Sequence, residues 1–389
     1  MVPTRPPAKP LEDLEGLRLT LQALVEDSIA PKVNATSPVG ELDRFCTLGT
    51  TTGPTRSENE DRVCAVTISR GRNPVDALFL ALVCDGIGGM QDGEASARKA
   101  IAAFVAACAV STSDSLSEIL NTAAVAADKE VHALTKGRGG TTLVALLMSR
   151  TSEEVAAVNC GDSRLFRLTG REMAQVTEDQ TLGAALRNAA GENLDLDHRG
   201  LELSNFVGIG PGFFPQFVEL SNVDQPCLGY VLATDGTWNA LGSLFETVVV
   251  SAPSHVAAIQ RTLAIVNYAA GPDNASIAIT KPRAQVAMEL AQLSRKPNLV
   301  LIQGATAGRN FSVALPLVPR ASTSTNVELA KVPPTRVKTQ KRGRKKQQRL
   351  LVFSDAALAN VRSTGVGAGV QILDGDLDDD QGTADDSNS

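Results

Sequence analysis

The chain has 389 residues, a hydrophobic fraction of 43% and a formal net charge of −6, a profile typical of a globular protein with one large domain or two smaller ones. No apolar stretch reaches the roughly 18 residues of a membrane span, and the Pro-rich, charged N-terminus lacks the apolar segment of a signal peptide. None of the six cysteines forms a C-x-x-C pair, so the sequence favours a reducing, cytoplasmic location and gives no support to a zinc knuckle.

The first 40 residues predict an N-terminal extension that contains one helix. Leucines recur at helical spacing from Leu14 to Leu24 and predict an amphipathic helix over residues 11–27. Pro31 to Gly40 is typical of a linker. We therefore separate residues 1–40 from the domain that follows.

Residues 41–282 predict one compact domain in which strands outnumber helices. Strands are predicted over 44–51, 62–69, 77–84, 141–148, 154–159, 165–168, 172–176, 229–233 and 275–280. Helices are predicted over 94–110, 115–135, 181–190, 238–250 and 254–269, and the rest of 180–227 is predicted to be loops. Because few helices are available as crossovers, most strand pairing should be antiparallel, and the expected fold class is α+β.

The C-terminal third changes in character after residue 282. Residues 283–320 could add one helix and one or two strands, and the sequence leaves open whether they join the core. Residues 321–389 are predicted to be mostly disordered, first basic and then acidic. The run from Lys331 to Arg349 holds nine basic residues and no acid. It could bind nucleic acid, but the absence of interleaved aromatic residues favours a solvated tail.

Five short acidic motifs are spaced along the compact domain, and three of them follow apolar strands. They are Asn59-Glu60-Asp61, Asp85-Gly86-Ile87-Gly88-Gly89, Gly161-Asp162-Ser163-Arg164, Thr234-Asp235-Gly236 and Asp273-Asn274. Carboxylates delivered by converging strands could hold hard cations such as Mg²⁺ or Mn²⁺. Each motif alone also has a structural explanation. Asp235 could cap a helix that begins near Trp238, and Asp162 could pair with Arg164 in a turn.

Taken in order, the motifs resemble those of the metal-dependent protein phosphatases, the type 2C serine/threonine class, in their bacterial form. The resemblance runs from about residue 44 to 281, and it includes Arg56, Gly140-Thr141-Thr142 and Thr177-Glu178-Asp179-Gln180. It implies a four-layer α-β-β-α sandwich of two mostly antiparallel sheets flanked by helices, with a metal cluster at one end.

The resemblance also implies a set of metal ligands for two or three Mg²⁺ or Mn²⁺ ions. The set is Glu60, Asp61, Asp85, Gly86, Asp162, Asp235 and Asp273. Asp85 would bridge two ions. Asp235 and Asp273 would complete the coordination of the ion on one side. Glu60 and the carbonyl of Gly86 would serve the other side, with Asp61 close by. Asp162 with Asp235 would offer a third, weaker site.

The implied reaction is hydrolysis of phosphoserine or phosphothreonine in phosphoproteins, by a water that bridges two metal ions. Asp85 and Asp235 would be catalytic through the metals, and Arg56 would grip the substrate phosphate. A cognate kinase is an expected partner, and a membrane is not. The chain has three histidines and no G-x-S-x-G elbow, which argues against a Ser-His-Asp hydrolase.

Three positions depart from the family pattern. Ile87 stands where some members have a histidine, Asn239 where the family often has aspartate, and Val207-Gly208-Ile209-Gly210 lacks the usual arginine. Two alternative functions remain open on sequence grounds. One is a non-catalytic, phosphatase-like regulator, which the complete ligand set disfavours. The other is a nucleic-acid-associated protein acting through its basic tail.

Overall fold

Two β-sheets stack face to face, and helices cover the outer face of each. The computed structural model describes residues 12–29, 40–41, 45–69, 77–87, 92–170, 172–190, 202–220, 227–269, 271–293, 299–306, 309–316, 349–352 and 371–372. Residues 31–39 of the predicted linker, most of the basic run and the acidic end lie outside these residues.

The strands form one six-stranded and one nine-stranded sheet. In chain order they are Gly40–Glu41 (β1), Cys46–Thr51 (β2), Arg62–Ser69 (β3), Ala77–Cys84 (β4), Leu143–Ser149 (β5), Val155–Cys160 (β6), Arg164–Leu168 (β7), Met173–Gln175 (β8), Gln216–Glu219 (β9), Gly229–Ala233 (β10), Ala275–Thr280 (β11), Leu299–Thr306 (β12), Arg309–Pro316 (β13), Arg349–Val352 (β14) and Gln371–Ile372 (β15). The six-stranded order is β1-β2-β11-β10-β7-β8, and the nine-stranded order is β15-β14-β13-β12-β3-β4-β5-β6-β9. Among these strands only β13 and β14 pair in parallel.

The helices flank the sheets on both sides. They are Glu12–Ser28 (α1), Gly93–Val110 (α2), Leu116–Thr135 (α3), Leu182–Ala190 (α4), Asp235–Leu241 (α5), Leu244–Val250 (α6), His255–Tyr268 (α7) and Arg283–Leu293 (α8). Helices α1 to α3 cover the nine-stranded sheet, and α5 to α7 cover the six-stranded sheet. This is the four-layer α+β sandwich expected from the sequence.

Both faces of the central strands are buried, which explains their continuous apolar sequences. In β3, Cys64 and Val66 face the helices, whereas Val63 and Ala65 face the other sheet. Alanines fill much of the space between α2, α3 and the sheet, in keeping with the aromatic fraction of 4%. Small side chains therefore allow close packing between layers.

Several local predictions are confirmed and two are wrong. Ser115 caps α3 as expected, because its hydroxyl accepts a hydrogen bond from the amide of Glu118. The helix predicted over 238–250 is instead two helices, α5 and α6, separated at Gly242, which has a φ of 51°. Residues 216–219, predicted to be loop, form the edge strand β9 on β6.

The region after residue 282 continues the fold. Val286 and Leu290 of α8 belong to the core between the two sheets. Strand β12 pairs with β3 from Val63 to Ser69, so the nine-stranded sheet extends well beyond the predicted domain. Strands β14 and β15 pair at the edge of this sheet. The rest of residues 321–389, predicted to be mostly disordered, lies outside the described residues. Among the described residues, no helix is long and apolar enough to cross a membrane.

Candidate metal centre

Carboxylates from both sheets converge at one end of the sandwich. Asp85 follows β4 and Asp162 follows β6, both in the nine-stranded sheet. Asp235 follows β10 and Asp273 precedes β11, both in the six-stranded sheet. Antiparallel pairing places the start of β3, and with it Asp61, beside the end of β4, since Arg62 pairs with Cys84. The topology therefore brings together motifs that are far apart in sequence.

The carboxyl groups of Asp85 and Asp235 lie next to each other, and each affects the pKa of the other. Burial, reinforced by the negative charges of Asp61, Asp235 and Asp162, raises the pKa of Asp85 well above its ordinary value. Ionisation of Asp85 beside these acids is therefore costly when no cation is bound.

Asp61 and Asp162 flank this pair. Asp61 is 1% exposed, and one of its carboxylate oxygens accepts a hydrogen bond of 2.9 Å from the hydroxyl of Thr234. Burial raises the pKa of Asp61 to about 7, and the nearby charges of Asp235 and Asp273 act in the same direction. Burial, together with the charge of Asp235, also raises the pKa of Asp162 to about 7. The cluster thus concentrates acidic groups that resist ionisation together.

Glu60 approaches the cluster from the loop before β3. Its amide donates a 2.8 Å hydrogen bond to the side-chain oxygen of Asn274, whose amide group in turn holds the carbonyls of Thr52 and Glu58. Burial and the charge of Asp273 raise the pKa of Glu60, against the lowering effect of Arg56. Asn274 therefore ties the Asp273 loop to the backbone that carries Glu60.

The backbone around Gly86 leaves one carbonyl available. Gly86 lies opposite Thr141 in an isolated antiparallel bridge. The flanking bonds run from the amide of Ile87 to the carbonyl of Gly140 and from the amide of Thr142 to the carbonyl of Asp85. Gly86 is therefore the non-hydrogen-bonded member of the ladder, and its carbonyl is not used by the bridge. The Gly140-Thr141-Thr142 motif thus serves to hold the Asp85 turn.

Arg56 reaches the cluster through Asp273. Its guanidinium donates a 2.7 Å hydrogen bond to the Asp273 carboxylate and a second one to the carbonyl of Pro272. The charges of Glu60 and Asp85 also act on Arg56. The side chain of Arg56 is 37% exposed, so it stands at the solvent side of the carboxylates.

The donor set matches a hard cation in chemistry. The side-chain donors are carboxylate oxygens, and one buried oxygen of Asp61 and one of Asp235 have no hydrogen-bond partner in the part of the chain that the structure describes. No three acidic, histidine or cysteine side chains among the described residues already stand in an arrangement that would hold an ion. The pairing of Asp273 with Arg56 compensates part of the negative charge in its place. Oxygen-rich, partly unsatisfied sites of this kind suit Mg²⁺ or Mn²⁺.

Two of the simpler explanations for the motifs do not hold. Asp235 does not cap a helix beginning near Trp238, because α5 begins at Asp235 itself. Arg164 pairs through two hydrogen bonds with Asp179 rather than with Asp162, and its guanidinium lies 3.3 Å from the ring centroid of Trp238. Neither local interaction engages Asp162 or Asp235, so both carboxylates remain part of the cluster.

The positions that depart from the family pattern lie around this site. Asn239 is exposed on α5, and Ile87 is half-buried beside Gly86. The segment 207–210 is held on α3. The carboxylate of Asp128 accepts hydrogen bonds from the amides of Gly208 and Gly210, and a ring nitrogen of His132 lies 3.0 Å from the carbonyl of Gly208. His132 therefore helps to hold this segment on α3.

Sequence reasoning missed several residues that shape the site. Thr234, Thr142, Asn274 and Arg62 all hydrogen-bond to residues of the acidic motifs or to the backbone that carries them. Three of them lie inside motifs that the sequence analysis identified: Thr142, Thr234 and Asn274. Their place in those motifs was the signal from which their role at the site could have been predicted. Arg62 gave none, because its burial depends on a helix 32 residues further along the chain.

Comparison with solved structures identifies the fold. The PPM Ser-Thr phosphatase MsPP from Mycobacterium smegmatis, in complex with cacodylate, superposes with a TM-score of 0.50 and 23% identity, covering 61% of this chain and 97% of that one. The serine/threonine phosphatase of S. agalactiae superposes with a TM-score of 0.53 and 20% identity, covering 61% and 98%. Stp1, a serine/threonine phosphatase from Staphylococcus aureus, gives 0.53 and 16%, covering 65% and 98%.

No protein-family model and no curated protein sequence matches this chain at a significant level. At these identities the structural likeness establishes the fold alone. The chain has the fold of the bacterial PPM serine/threonine phosphatases.

Proposed function

We propose that this protein is a metal-dependent phosphatase that hydrolyses phosphoserine and phosphothreonine in proteins. The observation that carries the proposal is the carboxylate pair of Asp85 and Asp235, which come from different sheets and lie next to each other among the further acids Asp61 and Asp162. A fold gains nothing in stability from gathering acids in this way. Such a cluster is typical of a site that binds cations.

Divalent cations would compensate the negative charge of this cluster. Asp85 would lie between two of them, Asp235 and Asp273 would hold one, and Glu60 with the carbonyl of Gly86 would hold the other. Asp61 would support Asp85 from behind, and Asp162 would add a weaker position next to Asp235. When bound, such cations neutralise phosphate charge and lower the pKa of water.

Arg56 would bind the phosphate of the substrate. It stands at the solvent side of the cluster, and its planar guanidinium can donate two hydrogen bonds to phosphate oxygens. Its bond to Asp273 places it at the mouth of the site. The natural partners would be phosphoproteins and the kinase that produces them.

The test is hydrolysis of p-nitrophenyl phosphate and of a phosphothreonine peptide, with Mg²⁺, Mn²⁺ or EDTA. We expect activity with Mn²⁺ on both substrates, none in EDTA, and a loss in Asp235→Ala. Binding of Mn²⁺ without hydrolysis of either substrate would instead favour the non-catalytic, phosphatase-like regulator. Absence of both binding and hydrolysis with every divalent metal would refute the proposal.

A further inference from the structure

Arg62 is a buried cation directly behind the acidic loop. It follows Asp61 in the chain, begins β3, and its side chain is 5% exposed. One guanidinium nitrogen donates hydrogen bonds to the carbonyl of Asn59, at 2.8 Å, and to the carbonyl of Asp61. These two carbonyls stand on either side of Glu60, so Arg62 fixes the backbone that carries Glu60.

The other side of the same guanidinium is attached to helix α2. Its second terminal nitrogen pairs with the carboxylate of Glu94, which lies in the first turn of α2. The residue before it, Gly93, faces Glu60 directly, because a Cβ on Gly93 would lie 2.6 Å from a carboxylate oxygen of Glu60. The first turn of α2 therefore meets Glu60 twice, by direct contact and through Arg62.

A chain of ion pairs continues from this point to the N-terminal helix. Arg98 bonds to Glu94 at 3.0 Å and to Glu26 of α1 at 3.4 Å, and Lys99 bonds to Glu26 at 2.6 Å. The α1 side chains Leu21 and Val25 are buried in the core shared with α2. Helix α1 thus braces the helix on which Arg62 is anchored.

We propose that Arg62 is a positioning residue for Glu60, which it locks to the first turn of α2 through Glu94. The inference extends the proposed function, in which Glu60 is a metal ligand. A buried charge is costly unless its hydrogen bonds are well made, so it is a poor choice for stability alone. Outer-shell partners of this kind typically change metal affinity by about 10–100-fold when they are substituted.

Arginine is needed here because of its shape as well as its charge. Its planar fork can reach two backbone carbonyls and one carboxylate at the same time, whereas the single ammonium of lysine cannot span them in one geometry. Arg62→Lys keeps the charge and tests the geometry. Glu94→Gln removes the negative charge of the anchor on α2 and leaves Arg62 itself in place, so it serves as the second variant if Arg62→Lys folds poorly.

The experiment is calorimetric titration of Mn²⁺ into the full-length protein, with no substrate present. We expect Arg62→Lys and Glu94→Gln each to weaken Mn²⁺ binding by about 10-fold or more. The matched control is Arg283→Lys, since Arg283 also pairs with a glutamate and a backbone carbonyl but lies on α8. This control should bind Mn²⁺ as the wild type does.

A double-mutant cycle separates positioning from a general structural effect. In a Glu60→Gln background, Arg62→Lys should cause no further loss of Mn²⁺ affinity, because the residue through which it acts is already gone. Additive losses, or wild-type affinity in both Arg62→Lys and Glu94→Gln, would overturn the inference, as would absence of Mn²⁺ binding by the wild type. If the wild type binds Mn²⁺ and the cycle behaves as expected, but no phosphate ester is hydrolysed, then only the proposed function fails.

Discussion

Arg56 and Asp273 form an ion pair at the mouth of the carboxylate cluster, with 2.7 Å between the guanidinium and the carboxylate. The pair joins the proposed phosphate-binding residue to a proposed metal ligand. Its two side chains are 37% and 30% exposed, so the ion pair itself contributes little to stability. Its significance is that a cation and Arg56 would compete for the same carboxylate.

Substituting Arg56 should therefore separate substrate binding from metal binding. In Arg56→Ala we expect kcat/KM for p-nitrophenyl phosphate to fall by about 10–100-fold, because a charge-assisted contact to phosphate is lost. Mn²⁺ affinity should stay equal or increase, since the competing cation is gone. Steady-state kinetics and calorimetry measure the two effects, and a large loss of Mn²⁺ affinity would argue against the assigned role.

The single tryptophan of the chain should report on cation binding. Trp238 lies three residues after Asp235 on α5 and stacks under Arg164, two residues after Asp162. A cation at Asp235 changes the charge next to the indole, so Trp238 emission should change on titration with Mg²⁺ and saturate. Asp235→Asn should abolish the saturable change. An identical response in wild type and Asp235→Asn would place the cation elsewhere.

Gly93→Ala should damage the site although it adds only one methyl group. The new Cβ would lie 2.6 Å from a carboxylate oxygen of Glu60, so Glu60 must move. We expect Mn²⁺ affinity to fall by about 10-fold, as is typical when a residue that positions a metal ligand is changed. The control is Gly16→Ala in α1, where a Cβ meets nothing within 4 Å. That change should stabilise the protein by roughly 0.5–1 kcal/mol and leave Mn²⁺ binding unchanged.

The metal-free protein should lose stability as the pH rises. Asp61 and Asp162 each have a pKa of about 7 in the folded state, above their ordinary value near 3.8. A carboxyl pKa that is higher in the folded state stabilises the fold at pH values below the unfolded-state pKa. This stabilisation is lost as the pH rises through the folded-state pKa. In EDTA the unfolding temperature should therefore be lower at pH 8 than at pH 5.

Addition of Mn²⁺ should reverse that trend at pH 8, because the cation stabilises the ionised carboxylates. Each group contributes at most about 1.4 kcal/mol per pH unit over the interval between its two pKa values. Thermal denaturation followed by circular dichroism measures both effects. A metal-free protein that is equally stable at pH 5 and pH 8 would contradict the account.

The fold was predictable where the hydrophobic pattern of a segment alone determined the element. Strand β4 is a continuous apolar run buried on both faces, and its bounds agree with the sequence prediction. The break between α5 and α6 was missed because it depends on the backbone conformation of Gly242, not on hydrophobic periodicity. Strand β9 was missed because an edge strand of four residues, alternately half-buried and exposed, has a weak pattern.

The site was predictable at the level of motifs and not at the level of contacts. Asp85 and Asp162 follow apolar strands, so their placement could be expected from the sequence. The proximity of Asp85 to Asp235, and the attachment of Arg62 to Glu94, depend on how separate elements meet in space. A single sequence without its relatives carries no signal for such contacts.

The most direct test of the central claim compares the wild type with Asp85→Ala in Mn²⁺-dependent hydrolysis of p-nitrophenyl phosphate. Asp27→Ala on α1 is the matched control, because Asp27 is an exposed aspartate on another element. We predict Mn²⁺-dependent activity in wild type and Asp27→Ala, and a loss in kcat on the order of 10³-fold or more in folded Asp85→Ala. Equal activity in Asp85→Ala and wild type, or no Mn²⁺-dependent activity in the wild type, would contradict the account.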